Sequence, residues 1–124
     1  MSILAIDYGT KRIGLALAIN HIITTLPALQ NDAQLLSRLK IIISQHNIEK
    51  IYVGISEGTF AQQTQAFVSK LQAMLKLPIE TVEEAVSTIE ADEIFQNNKQ
   101  KKKDYKRKID SIAAAVILRR ALNY

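Results

Sequence analysis

Apolar positions in the first quarter of the chain follow the pattern of β-strands. The runs Ser2 to Asp7 and Arg12 to Ala18 are apolar and rich in β-tolerant residues, and four residues separate them. This spacing predicts a hairpin in which Gly9 supplies the positive φ of the turn. A third, β-branched run over His21 to Leu26 is expected to stop at Pro27, because proline interrupts a strand. The pattern therefore predicts an antiparallel meander of three strands.

Helical periodicity then alternates with two further strands. Asp32 can cap a helix in which leucine and isoleucine recur at helical spacing until about Asn47. The remaining predicted elements are a strand over Lys50 to Ile55, a helix from Thr59 that ends before Pro78, a strand over Ile79 to Val82, a helix over Ser87 to Gln96 and a final helix over Ser111 to Asn123. A meander followed by this alternation predicts an α/β fold, with a central five-stranded mixed sheet and helices on both faces. A length of 124 residues predicts one domain over residues 1–124.

Composition excludes several classes of protein. The chain has no cysteine and two histidines, which excludes disulfide frameworks, thiol catalysis and cysteine-based metal sites. No apolar run approaches the roughly 20 residues of a membrane span. Asp7 interrupts the first apolar run, so no secretory leader is predicted. We therefore expect a cytoplasmic protein without a membrane partner.

Positive charge is concentrated in one segment. Seven cations and one aspartate lie between Lys99 and Lys108, which gives this segment a net charge of +6. The whole chain has a net charge of +4, so the rest of it carries −2. One concentrated basic segment on a slightly acidic body is typical of an element that binds a polyanion. The alternative is a solvated, lysine-rich loop.

Carboxylates occur at positions that require an explanation. Period-two alternation puts Asp7 in the same row as Ile3 and Ala5, although an aspartate here can also cap the following turn. Glu83 and Glu84 follow the fifth predicted strand, where they can alternatively offset the dipole of the next helix. An open sheet can bring the ends of these strands to one edge.

A third acidic position belongs to the last predicted helix. Asp110, Ala113, Ala114 and Ile117 share one helical face, so a carboxylate lies on a face that must pack closely. The alternative is an N-cap, a role for which Ser111 competes.

The three acidic positions together predict a metal site. Like charges gathered at one edge repel unless a cation neutralises them, and an all-oxygen set favours Mg²⁺ or Mn²⁺. The basic segment before Asp110 and the pair Lys11 and Arg12 beside Asp7 can contact phosphates, although a solvated turn is the alternative for that pair. The residues therefore predict metal-assisted phosphoryl chemistry on nucleic acid. The candidate phosphate contacts are Lys11, Arg12, Lys101, Lys102, Lys103, Lys106, Arg107 and Lys108.

Four segments resemble a known family. The stretch Ile6 to Ala16, IDYGTKRIGLA, resembles the opening motif of the YqgF family of Holliday junction resolvases and pre-16S rRNA nucleases, and Val53-Gly54 resembles its second motif. Pro78 to Ala91 resembles the motif with Asp-Glu-Arg, here with Glu83 and Ala85 in place of the aspartate and the arginine. Lys106 to Leu118 resembles the closing motif, with Asp110 in its acidic position. The resemblance extends over nearly the whole chain.

The resemblance implies a ribonuclease H-like fold and a metal-dependent nuclease. It implies that Asp7, Glu84 and Asp110 hold Mg²⁺ or Mn²⁺, with Glu83 as the alternate ligand. The implied substrates are structured nucleic acids, either the 5′ end of pre-16S rRNA in a ribosomal precursor particle or branched DNA of the Holliday-junction type.

Two departures from the family pattern keep another interpretation open. Ala85 removes the two-pronged donor that an arginine offers to a phosphate, and Ser56 replaces a proline of the family. An RNA-binding factor of ribosome maturation with weakened or absent catalysis is therefore the first alternative. Asp-x-Gly-Thr also resembles the phosphate-binding hairpin of actin, sugar kinases and heat-shock ATPases. Those proteins need two such domains, which makes this alternative the weaker one.

Overall fold

The computed structural model describes residues 2–55, 60–83 and 105–122. In chain order these ranges form β1 (Ser2–Asp7), β2 (Arg12–Ile19), β3 (Ile22–Gln30), α1 (Leu35–Gln45), β4 (Ile48–Ile55), α2 (Phe60–Met74), β5 (Ile79–Glu83) and α3 (Tyr105–Leu122). The predicted helix over Ser87 to Gln96 lies outside the described residues.

The strands form one mixed sheet in the order β3-β2-β1-β4-β5. β1, β2 and β3 are antiparallel neighbours, whereas β4 runs parallel to β1 and β5 runs parallel to β4. The predicted five-stranded mixed sheet is therefore confirmed. Because β1, β4 and β5 are parallel, their carboxyl ends meet at the same edge of the sheet.

Alternating side chains of the central strand enter two separate cores. Leu4 and Ile6 are fully buried on the face that α1 and α2 cover, where they pack with Leu39 and Leu71. Ala5 is fully buried on the opposite face, which α3 covers. The helix contributes Ala114, Ala115, Ile117 and Leu118 to a core whose strand residues include Ala16, Ala18 and Tyr52. Small residues on both surfaces allow the helix to approach the sheet closely, and the two cores give the predicted arrangement of helices on both faces.

The third strand continues beyond the point predicted from the sequence. β3 runs to Gln30, so the expectation that it stops at Pro27 is wrong. β3 is an edge strand, and its register with β2 shifts between Ile13 and Leu15. An edge strand and a register shift both tolerate a residue that has no N–H to donate. The tight turn before β3 uses Asn20 and His21, with φ of 50° and 70°.

Two helices begin at residues other than those expected. α1 begins at Leu35 with Gln34 as its N-cap residue, whereas the Asp32 carboxylate accepts a hydrogen bond from the Gln34 N–H at 2.9 Å, ahead of the helix. α3 begins at Tyr105, six residues before the predicted start at Ser111. Asp110 therefore lies inside the helix, and the interpretation of Asp110 as an N-cap is wrong.

Within the described ranges, every helix is too short or too polar to span a lipid bilayer.

Candidate active site at the carboxyl edge of the parallel strands

Asp7 is the last residue of β1, the central strand of the sheet. It is half-buried, and its strand neighbours are Gly14 on antiparallel β2 and Gly54 on parallel β4. Residues paired across neighbouring strands project to the same face, so Asp7 belongs to the face that α3 covers, like Ala5 two residues earlier. Asp7 is thus a carboxylate in a row of otherwise apolar positions, as the alternation predicts.

Glycine flanks Asp7 on both sides. Gly14 and Gly54 are buried, and neither has a side chain to occupy the space beside the carboxylate. Any larger residue at either position would place a Cβ on the face from which Asp7 projects. Neither glycine is among the site residues predicted from the sequence, because the periodicity of a strand does not reveal which strands lie beside it. The two glycines do belong to segments that resemble family motifs, Gly14 to the opening motif and Gly54 to Val53-Gly54.

The loop that follows Asp7 is held against the start of α1. The Asn31 side-chain amide donates to the Gly9 carbonyl at 2.8 Å, and the Asn31 backbone N–H donates to the Lys11 carbonyl at 2.9 Å. A Cβ on Gly9 would overlap the carbonyl oxygen of Arg12. The φ of Gly9 lies outside the left-handed region, so the prediction of a positive φ is wrong. Glycine is required here because two backbone segments approach closely, not because of its φ.

The end of β5 reaches the same edge as Asp7. Val82 is in register with Gly54, and Glu83, the last residue of β5, is in register with Ile55. One strand separates β1 from β5, so their ends are about 10 Å apart. Glu84, the next residue, lies outside the described residues. The structure thus brings the end of the fifth strand to the edge at which Asp7 lies, as expected from the sequence.

The third predicted carboxylate belongs to the helix that covers Asp7's face. The backbone of Asp110 is helical, and Ala114 and Ile117, four and seven residues later, are buried against the sheet. Positions four and seven residues apart lie on one side of a helix.

The predicted phosphate contacts fall into three groups. Lys11 and Arg12 are exposed at the end of the loop after Asp7, with Arg12 opening β2 in register with Gln30. The backbone of Lys106, Arg107 and Lys108 belongs to the first turns of α3, so this part of the basic segment is helical and not a loop. Lys101, Lys102 and Lys103 lie outside the described residues, as do Ser56 and Ala85.

A second charged group lies on the same face of the sheet, farther from the edge. The Lys50 ammonium is 3.4 Å from the Glu80 carboxylate and 4.8 Å from the centre of the Tyr52 ring. A hydrogen bond to the Tyr52 side chain, and more weakly the Glu80 carboxylate, raise the pKa of Lys50. Lys50 precedes Gly54 by four residues, about 13 Å along an extended strand. This cluster therefore ties β4 to β5 and does not reach the carboxyl edge.

Within the part of the chain that the structure describes, no three histidine, cysteine or acidic side chains lie close enough together to hold a metal ion. Of the predicted ligands, Asp7 is the one whose side chain belongs to that part.

Comparison with known proteins finds one family over the whole chain. Residues 1–124 match the RuvX family, described as Holliday junction resolvase. A protein of Thermosynechococcus vestitus named "Putative pre-16S rRNA nuclease" is 31% identical over 133 residues, which cover 99% of this chain and 88% of the relative. A Sulfurovum protein of the same name is 36% identical, and the match covers 99% of each chain.

Junction resolvases are among the solved structures that resemble this one. Fowlpox virus resolvase, solved with Holliday junction DNA, superimposes with a TM-score of 0.63 at 11% identity and covers 100% of both chains. RuvC of T. thermophilus, also with a Holliday junction substrate, gives a TM-score of 0.57 at 15% identity and covers 94% of this chain and 91% of RuvC. The likeness confirms the predicted ribonuclease H-like fold.

Proposed function

The chain belongs to the RuvX family of Holliday junction resolvases, and from this premise we propose that it is a metal-dependent nuclease that hydrolyses phosphodiester bonds in structured nucleic acid. The observation that carries the proposal is the position of Asp7. Its carboxylate ends the central strand, at the edge where β1, β4 and β5 all end, and the residues on both sides of it are glycines. Because glycine has no side chain, these neighbours leave room beside the half-buried carboxylate for a ligand.

In this proposal Asp7, Glu84 and Asp110 hold Mg²⁺ or Mn²⁺. The donor set fits such an ion, because carboxylate oxygens are the ligands that hard divalent cations prefer. We favour Glu84 over Glu83 because, in the sequence, Glu84 continues the period-two row of Glu80 and Val82. Val82 packs in the same core as Ala5, on Asp7's face of the sheet. The ion, when bound, would lower the pKa of a coordinated water and stabilise charge on the leaving oxygen.

The cations near this edge are proposed to bind the phosphates of the substrate. Lys11 and Arg12 are exposed and follow Asp7 by four and five residues. Lys106 to Lys108 precede Asp110 by two to four residues, about 3 to 6 Å along a helix axis. A phosphodiester close to Asp7 and Asp110 would therefore have cations on two elements with which to pair. Such contacts hold a backbone in position without reading its sequence.

The substrate that we favour is RNA at the 5′ end of pre-16S rRNA, processed in the cytoplasm during ribosome assembly. The names of the two relatives, at 31% and 36% identity over nearly the full chain, support this choice. Branched DNA is the other candidate, supported by the family description.

The substitution Asp7→Asn tests the proposal. Purified protein is incubated with pre-16S rRNA fragments and with four-way DNA junctions, each with and without Mg²⁺ or Mn²⁺. Asparagine preserves the volume of the side chain and removes its charge, so cleavage should fall by about 100-fold or more while the fold is retained. Glu80→Gln, an exposed carboxylate on β5 that pairs with Lys50, is the matched control and should cleave like the parent. Cleavage by Asp7→Asn within a few-fold of the parent would contradict the metal-binding role.

A second candidate function is RNA binding without efficient cleavage. It is favoured by Ala85, which stands where the resembled family has an arginine. If the missing guanidinium limits catalysis, Ala85→Arg should raise the turnover of the same RNA fragments and leave their affinity nearly unchanged. A parent protein that binds RNA and cleaves neither substrate with either metal would favour this second candidate.

A further inference from the structure

A groove lies on the face of the sheet opposite to Asp7. Tyr8, the first residue of the loop after β1, is part of its lining. The groove measures about 330 Å³, and its lining includes Tyr8, Asn31, Leu35, Gln63, Phe67 and Lys70. These residues come from the loop after β1, the segment before α1, α1 itself and α2. We propose that this groove binds an unpaired base of the nucleic acid whose backbone lies at the carboxyl edge. The inference rests on the proposed function, and it concerns recognition of the substrate and not cleavage.

The groove combines an aromatic floor with a polar rim. Phe67 and Leu35 are buried, and the half-buried Tyr8 ring lies 4.7 Å from the Phe67 ring, centroid to centroid, at an interplanar angle of 32°. Gln63 and Lys70 are exposed at the rim. Flat aromatic surfaces stack on bases, whereas amide groups bond to base edges and an ammonium pairs with phosphate. A nucleotide offers a base face to the aromatic rings, a base edge to the amide and a phosphate to the ammonium, so it is the ligand class that matches this lining.

The position of the groove links it to the candidate active site. Tyr8 directly follows Asp7, so their Cα atoms are about 3.8 Å apart. Successive residues of extended backbone project to opposite sides. A nucleic-acid strand that has one phosphate near Asp7 and crosses the edge of the sheet can turn a neighbouring, unpaired base into the groove.

Hydrogen bonds hold one wall of the groove, formed by the loop after β1 and the segment before α1, in place before any ligand binds. The bond from the Asn31 amide to the Gly9 carbonyl fixes the loop that carries Tyr8, and Asn31 itself lines the groove. Asp32, the next residue, accepts from the Gln34 N–H and from Arg38 at 3.1 Å. A preformed pocket avoids the entropic cost of ordering its walls when it binds.

The test measures affinity for a short single-stranded RNA in EDTA, so that cleavage plays no part. Fluorescence anisotropy compares the intact RNA with a series in which each position in turn lacks its base. In the parent, loss of one particular base should weaken binding about tenfold. Tyr8→Leu and Gln63→Ala should weaken binding of the intact RNA and abolish this sensitivity to the missing base. Gln62→Ala changes the neighbouring exposed glutamine, which is not part of the lining, and should behave like the parent.

Each outcome bears on the groove separately from the nuclease proposal. The base-binding role would be overturned if the groove variants lost affinity equally for intact RNA and for RNA that lacks one base, or if they lost no affinity. Either result would hold whatever the Asp7→Asn protein does. Saturation-transfer NMR with adenosine and uridine 5′-monophosphate reports on the groove even if the RNA fails to bind. Transfer to the base protons in the parent that is lost in Tyr8→Leu and kept in Gln62→Ala supports the groove, and equal transfer in all three proteins contradicts it.

Discussion

Asp7 and Gly54 are in register across the parallel strands β1 and β4. Neighbouring strands lie about 4.8 Å apart, so a Cβ on residue 54 would stand directly beside the side chain of Asp7. Glycine is a poor strand former, and a glycine in a strand often marks a site where a ligand or another backbone approaches closely. The pairing of Asp7 with Gly54 therefore indicates that the space beside this carboxylate receives a ligand.

Gly54→Ala should impair cleavage more than stability. The added methyl group would occupy space beside Asp7, and small displacements of a reacting group are costly, so we expect cleavage to fall about tenfold or more. The melting temperature should change little, because alanine suits a strand better than glycine does. Initial rates on the preferred substrate and thermal melts of the same preparations check this. Unchanged rates would mean that the glycine serves packing alone.

Gly9→Ala, in contrast, should lower the stability of the folded protein. Its new Cβ would overlap the Arg12 carbonyl oxygen, which is backbone and cannot rotate away. Overpacking of this kind costs about 1–3 kcal/mol of unfolding free energy. Urea denaturation provides the measurement, and Thr10→Ala at the exposed neighbouring position is the control. Equal midpoints for the two variants would contradict the close approach.

Mn²⁺ or Mg²⁺ should raise the melting temperature. An acidic site that forms on folding binds the ion in the folded state only, and such binding shifts the unfolding equilibrium. The shift should disappear when Asp7, Glu84 and Asp110 are replaced together by Asn, Gln and Asn. KCl at matched ionic strength controls for screening. A shift of the same size in the triple variant would assign the ions to some other part of the protein.

Replacing Lys101, Lys102 and Lys103 by Gln should flatten the salt dependence of nucleic-acid binding. If these lysines contact phosphates, the slope of log affinity against log salt should become shallower by roughly 2 to 3 units, equally for RNA and junction DNA. Lys40 on α1 and Lys76 in the loop after α2 are exposed, and their joint replacement by Gln should leave the slope unchanged. A parental slope in the triple variant would identify the run as a solvated segment.

Local periodicity was sufficient to predict much of this fold. β1 was predicted over Ser2–Asp7 and is found there, and β2, β4 and β5 agree with their predicted ranges within two residues at each end. Side-chain alternation in a strand depends on neighbouring residues only, so the sequence also assigns Asp7 to the row of Ile3 and Ala5. The early start of α3 escaped prediction because its first turns carry lysine and arginine, which favour helix but give no apolar period.

The amino-acid sequence by itself thus determined four of the five strands, the mixed sheet, the family and the carboxylate that ends the first strand. Tertiary structure alone decided that Gly14 and Gly54 stand on either side of Asp7, that β3 continues through Pro27 at a sheet edge, and that Tyr8, Asn31 and Gln63 line one groove. The physical reason is range. Periodicity records contacts among residues a few positions apart, whereas strand register and groove walls depend on the packing of segments that are distant in the chain.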